Sequence, residues 1–180
     1  MSAIKKFDHP KELLHKLYRE GRRANLANTE IDIVDCVFNF CVTGHSLRDW
    51  IIKHLQLNDS QKSKFHDECN LNEYLKYCRD IANSSKHFGL DLSKQSTVSS
   101  VNTEEVEFCS IDAQGNLIPN SNVDKLSAKI EISHGNKIDL LMFIHYVAEA
   151  FKDIFITNNV EFDMELTNSA ILAGISLGKC

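Results

Sequence analysis

Arg79, Asn83 and His87 stand four residues apart, with Asp80 and Lys86 beside them. Side chains at that interval lie above one another on an α-helix, so the three share a face that the other two flank. An imidazole titrates near neutrality and carries protons at cellular pH, and a guanidinium holds a phosphate through two parallel hydrogen bonds. Together they supply what metal-independent RNA cleavage requires: a proton carrier near the ribose hydroxyl and a cation on the charge that develops at phosphorus. Along the axis Arg79 and His87 are about 12 Å apart at 1.5 Å per residue, a gap that the long arginine side chain shortens. The same residue types also make an ordinary solvated helix face, with Asp80 in surface ion pairs to Arg79 or Lys86.

A second group precedes this one. His45 continues the apolar stripe of Val34, Phe38 and Cys41, and Asp49 lies one turn further on, next to Arg48. The spacing places His45, Arg48 and Asp49 partly inside a helical bundle. There they form either a buried histidine oriented by a carboxylate or a support behind the Arg79 to His87 face. Trp50, the single tryptophan, reads as core.

The elements that must position these groups follow from hydrophobic periodicity. Pro10 suits the first turn of a helix over about 10–24, with Leu13, Leu14, Leu17 and Tyr18 as its apolar stripe. Asn28-Thr29-Glu30 starts a second helix over about 29–56, in which Ile31, Val34, Val37, Phe38, Cys41 and Val42 face the core and Gly44 permits a bend. Asn58-Asp59-Ser60 caps a short amphipathic piece over about 60–68. Asn70 caps a helix over about 71–88, whose inner stripe is Leu71, Tyr74, Leu75, Cys78, Ile81, Ala82 and Ser85. The polar run 93–102 reads as a loop. The period then changes to two, with Val106 and Phe108, then Leu126, Ala128, Ile130 and Ile132, which predicts two or three antiparallel strands joined through turns at 113–116 and 134–137. Leu140, Leu141, Ile144, Val147, Ala148, Phe151, Ile154 and Phe155 mark a last helix, and 160–180 is open between strand and helix. The expected fold is α+β, mostly α, in a single domain over 1–180. An antiparallel helical bundle over 1–92 is followed by an αβ extension over 103–180, made of a small antiparallel sheet and a helix.

Composition narrows the chemistry. The formal net charge of −5 and the pI near 5.9 exclude the broad basic field of a protein that holds nucleic acid mainly by neutralising phosphates. RNA binding is therefore expected to be local. Basic residues do gather early, as Lys5, Lys6, Lys11, Lys16, Arg19, Arg22 and Arg23. The six cysteines include no Cys-x-x-Cys pair and read as reduced core thiols of a cytoplasmic protein. Glu12-Leu13-Leu14-His15 alone has the Glu-x-x-His spacing of a di-iron bundle, which needs two such motifs, so no metal is expected. No phosphate loop or dinucleotide fingerprint occurs, so no nucleotide cofactor is expected either. No apolar run is long enough for a membrane span, and no membrane partner is expected.

The Arg79-Asp80 pair followed by Asn83 and Lys86-His87, on a late helix of a bundle, resembles the HEPN superfamily of nucleotide-binding helical domains. The resemblance covers the first ninety residues at most. It implies a metal-independent endoribonuclease, or an RNA- or nucleotide-binding protein, of a bacterial or phage defence system. Arg79 and His87 would then be catalytic, Asn83, Lys86 and Asp80 would touch the substrate, and the protein would act as a homodimer that brings two motifs together. Seven residues lie between Arg79 and His87, more than the superfamily's ribonucleases use. A noncatalytic helical module that binds a protein partner is the alternative.

Overall fold

A computed structural model describes residues 4–86, 97–110, 112, 114, 116–133 and 135–165, with residues 85 and 86 by backbone alone. Its elements are α1 (Pro10–Leu26), α2 (Glu30–His54), α3 (Asp59–Leu71), α4 (Glu73–Lys86), β1 (Val98–Phe108), β2 (Val123–Ile132), β3 (Lys137–Asp139) and α5 (Leu140–Thr157). The fold is α+β and mostly α, as its periodicities predict. The expected turns at 113–116 and 134–137 and the tail 160–180 fall partly outside the described residues.

Each helix starts where a side chain satisfies a backbone N–H that would otherwise lack a partner. The Thr29 hydroxyl accepts from Asp32 N at 3.2 Å to open α2. Asn58 and Gln61 form a reciprocal capping box on α3, at 2.9 and 3.0 Å. β3 passes straight into α5, where Asp139 accepts from Leu141 N at 2.8 Å. On α1, His9 Nδ1 accepts from Lys11 N at 3.1 Å, with Pro10 in the first turn.

That cap works only while Nδ1 is unprotonated. Burial first, then the neighbouring His54 ring and Lys11, draw the His9 pKa below the ordinary histidine value of 6.5. The folded protein thus binds this proton less tightly than the unfolded chain does. The cap's contribution is complete above about pH 6.5 and is lost as the pH falls below that value through the folded pKa. The midpoint of urea unfolding is expected to fall as the pH drops across this window. A His9→Asn variant, whose cap does not titrate, should lose that component of the pH dependence.

The sheet is antiparallel in the order β1-β2-β3, with Val101 opposite Ile130, Thr103 opposite Ala128 and Ile130 opposite Ile138. Ala128 and Ile130 of β2 face inward, while the far end of the β1–β2 hairpin, at Val123, is exposed. α5 packs against α1 and α4 as well as the sheet, and one core cluster joins all of these elements. Phe40 of α2 and Phe143 of α5 meet edge to face, their ring centroids 5.9 Å apart. Glycine permits the closest helix approaches. A Cβ on Gly21 would lie 2.6 Å from Ile144 Cγ2, and one on Gly44 would lie 2.9 Å from Cys78 Sγ. α2 runs unbroken through Gly44, whose missing side chain serves packing against α4.

Several sequence expectations are corrected. The polar run 93–102 is not all loop: β1 begins at Val98, because pairing with β2 satisfies the backbone of residues whose side chains show no alternation. Leu71 does not join the inner stripe of α4; it is the last residue of α3 and is 86% exposed. Asn72, rather than Asn70, caps α4, its side chain accepting from Leu75 N at 3.1 Å. Ile31 and Val34 lie on the outer face of α2, 73% and 42% exposed, whereas Ile33 and Val37 are buried.

Candidate functional site

α4 is set by Asn72 at its start and by a buried stripe of Leu75, Cys78, Ile81 and Ala82 against α2. This stripe turns Arg79 toward α3 and Asp80 toward the start of β1. Asp80 is 7% exposed and accepts four hydrogen bonds. Its Oδ1 takes Arg79 Nε at 3.0 Å and Nη2 at 2.7 Å. Its Oδ2 takes the Thr97 backbone N–H at 2.9 Å and the Thr97 hydroxyl at 2.8 Å. Asp80 thus ties α4 to the sheet, and its carboxylate is spent on that tie.

Arg79 is held on a second side. Its Nη1 donates to Asn70 Oδ1 at 2.9 Å, and a quarter of the side chain is exposed. A guanidinium carries five N–H donors, of which three are used, so two remain without a bond among the described residues. The orientation is fixed by Asp80 and Asn70, and the remaining donors are available to a phosphate at no cost in side-chain ordering.

Arg48, on α2, approaches the same point from inside the bundle. Its Nη1 donates to Asn70 Oδ1 at 3.0 Å and its Nη2 to the Leu75 carbonyl at 2.6 Å. It is 2% exposed, and its buried Nε has no hydrogen-bond partner among the described residues. Burial lowers its pKa from the ordinary arginine value, and the like charge of Arg79 adds to the effect. A guanidinium stays protonated even so. Two arginines from different helices therefore converge on one amide oxygen.

The other expected site residues are distributed unevenly. Asn83 lies one turn beyond Arg79 on α4 and is half-buried. Lys86 ends α4, its side chain outside the described residues, and His87 lies outside them altogether. α4 continues through 83–85 as regular helix, with no break there. On α2, His45 is half-buried, Arg48 is fully buried and Asp49 is exposed. Trp50 is half-buried against the core and packs edge-on to Phe7.

The early basic cluster is only partly paired: Lys5, Lys6, Arg19 and Arg22 are exposed, and the other three meet carboxylates. Lys16 and Arg23 both pair with the buried Glu20, at 3.1 and 2.9 Å, and Lys11 pairs with Glu161 at 3.0 Å. A cleft of about 230 Å³ lies between α3 and α5, floored by Phe65, Leu75 and Ile154 and rimmed by Glu68 and Asp153. Those carboxylates give it the wrong sign for a phosphate. Among the described residues, no three His, Cys, Asp or Glu side chains gather as a metal site needs. No described helix is long and apolar enough to cross a membrane.

Asn70 and Thr97 are the site residues that sequence reasoning missed as such. Asn70 reads as a helix cap and Thr97 as loop, and no local pattern signals that Asn70 accepts from two arginines on other helices or that Thr97 donates to Asp80 of α4. Comparison of the chain with protein-family models, with curated proteins and with solved structures gives no match.

Proposed function

We propose that this chain is a HEPN-like helical domain that binds RNA at the Arg79 edge of α4 and cleaves it without a metal ion, His87 carrying the proton. The observation that supports the reading most is the clamped Arg79 guanidinium, a quarter exposed, with donors still open. Rigid donors aimed at a developing negative charge are what phosphoryl chemistry draws on most. In this reading Asp80 orients Arg79 rather than touching substrate, since both of its carboxylate oxygens already accept from Arg79 and Thr97. Asn83 and Lys86 extend the contact along α4 toward His87. The protein acts as a homodimer in the cytoplasm of a bacterium or phage-infected cell.

Fluorescently labelled single-stranded RNA incubated with the protein in EDTA tests this reading. Binding is expected to weaken about tenfold or more in Arg79→Ala, the worth of a charge-assisted hydrogen bond. Cleavage is expected to vanish in His87→Ala while the circular dichroism spectrum is unchanged. Wild-type protein that neither binds nor cuts RNA would end the proposal.

A second reading, a noncatalytic module that binds a protein, is favoured by one observation. Ile31 and Val34 expose apolar surface one turn apart on α2. Under that reading Ile31→Asp abolishes partner binding or self-association in sedimentation, and the Arg79 variants have no effect on it.

A further inference from the structure

We infer that Arg48, Asn70 and Arg79 form a partly buried anion subsite, in which the Asn70 amide oxygen occupies the place of a phosphate oxygen. The inference rests on the phosphate-binding reading of Arg79 and extends it to a residue inside the bundle.

A buried arginine normally faces a carboxylate, because an uncompensated charge in a protein interior is costly. Arg48 does not. Its two acceptors among the described residues, Asn70 Oδ1 and the Leu75 carbonyl, are neutral, and its Nε has no partner among them. Among the described residues no carboxylate forms an ion pair with it; the pair nearby, Asp80 with Arg79, is already complete. The neighbouring Cys69 thiol is pushed up to about 11 by burial and is uncharged at neutral pH. The cluster of Arg48, Arg79 and Asp80 thus keeps one positive charge at a place where two guanidiniums already point at a single oxygen, at 3.0 and 2.9 Å.

That geometry suits an oxyanion better than an amide. A charged acceptor makes bonds about twice as strong with guanidinium donors as a neutral carbonyl does. Rotating the Asn70 amide about its last torsion removes its oxygen from between the two arginines and presents its NH2 instead. A phosphate group then finds donors from Arg48, Asn70 and Arg79 together. Access is from the Arg79 side, where that side chain is a quarter exposed and Asn70 half-buried. The α3–α5 cleft beyond Cys69 and Leu75 is closed to anions by Glu68 and Asp153. An aspartate at position 70 would fill the subsite permanently; an asparagine leaves it open to a ligand.

Thermal unfolding of the full chain in inorganic phosphate, against chloride at equal ionic strength, tests the subsite. Wild-type protein is expected to gain a few degrees, about the shift that a ligand well above its Kd produces in a domain of this size. Asn70→Asp is expected to unfold at higher temperature than wild type in chloride and to lose the phosphate response. Arg48→Met, close in volume but uncharged, should lose the response as well and serves if the first variant fails to fold. The same titration with a nucleoside monophosphate and with an oligoribonucleotide distinguishes the source of the phosphate. A shift with inorganic phosphate that Asn70→Asp abolishes supports the subsite. No phosphate-specific shift in wild type, or an equal shift in Asn70→Asp, overturns it. RNA binding without a phosphate response leaves the Arg79 reading standing and removes the subsite. A phosphate response that Asn70→Asp abolishes, without RNA binding, does the reverse.

Discussion

Asp80→Ala is expected to destabilise the protein by about 3–5 kcal/mol, the cost of removing one partner from a buried ion pair. The carboxylate takes four donors at 2.7–3.0 Å, two from Arg79 and two from Thr97. Its loss leaves Thr97 N–H without an acceptor at the start of β1. It also leaves Arg79 uncompensated beside Arg48, so two like charges face each other across Asn70. Urea unfolding followed by circular dichroism measures the loss. Hydrogen exchange should show it first at the β1 amides near Thr97. Asp80→Asn separates charge from geometry: it keeps one acceptor oxygen, and it should recover part of the stability without restoring Arg79 to its clamped position. Unfolding at the wild-type midpoint in both variants would mean that the Arg79, Asp80 and Thr97 tie contributes nothing. The orientation assigned to Arg79 would then lose its basis.

Phe151→Ala should cost a similar amount, about 3–5 kcal/mol, for a different reason. Phe151 is 1% exposed on α5, beside Gly44 of α2, so its removal opens a cavity where α1, α2, α4 and α5 meet. Folded domains are stable by only about 5–15 kcal/mol, and either substitution removes a large share of that margin. Phe151→Leu, which keeps most of the volume, should cost less than about 1.5 kcal/mol. The contrast between the two, read from chemical denaturation, tests whether packing volume at this point holds α5 to the bundle. Equal effects from alanine and leucine would contradict that account.

The sequence by itself determined what depends on neighbouring residues. The 3.6-residue period of Leu13, Leu14, Leu17 and Tyr18 made α1 legible, and the alternation of Leu126, Ala128, Ile130 and Ile132 made β2 legible, because burial of one face imposes those periods locally. Thr29 and Asn58 announced their helices because capping is a contact between residues three apart. The polar face of α4 was visible for the same reason. Tertiary structure alone decided the rest. β1 starts at Val98 through pairing with Ile132, more than thirty residues away, and no alternation marks its first residues. Ile31 and Val34 stay exposed because α1 and α4 cover only the opposite side of α2, a choice of partner that an apolar helix does not encode in its own period. Arg48, Asn70 and Arg79 lie on three helices, and only the packing of α2, α3 and α4 brings two guanidiniums to one oxygen. Asp80, a surface charge by spacing, became a buried tie because the chain returns past α4 at Thr97. Local periodicity reports which residues face inward; it carries no record of what they meet there, because those contacts depend on how whole elements pack.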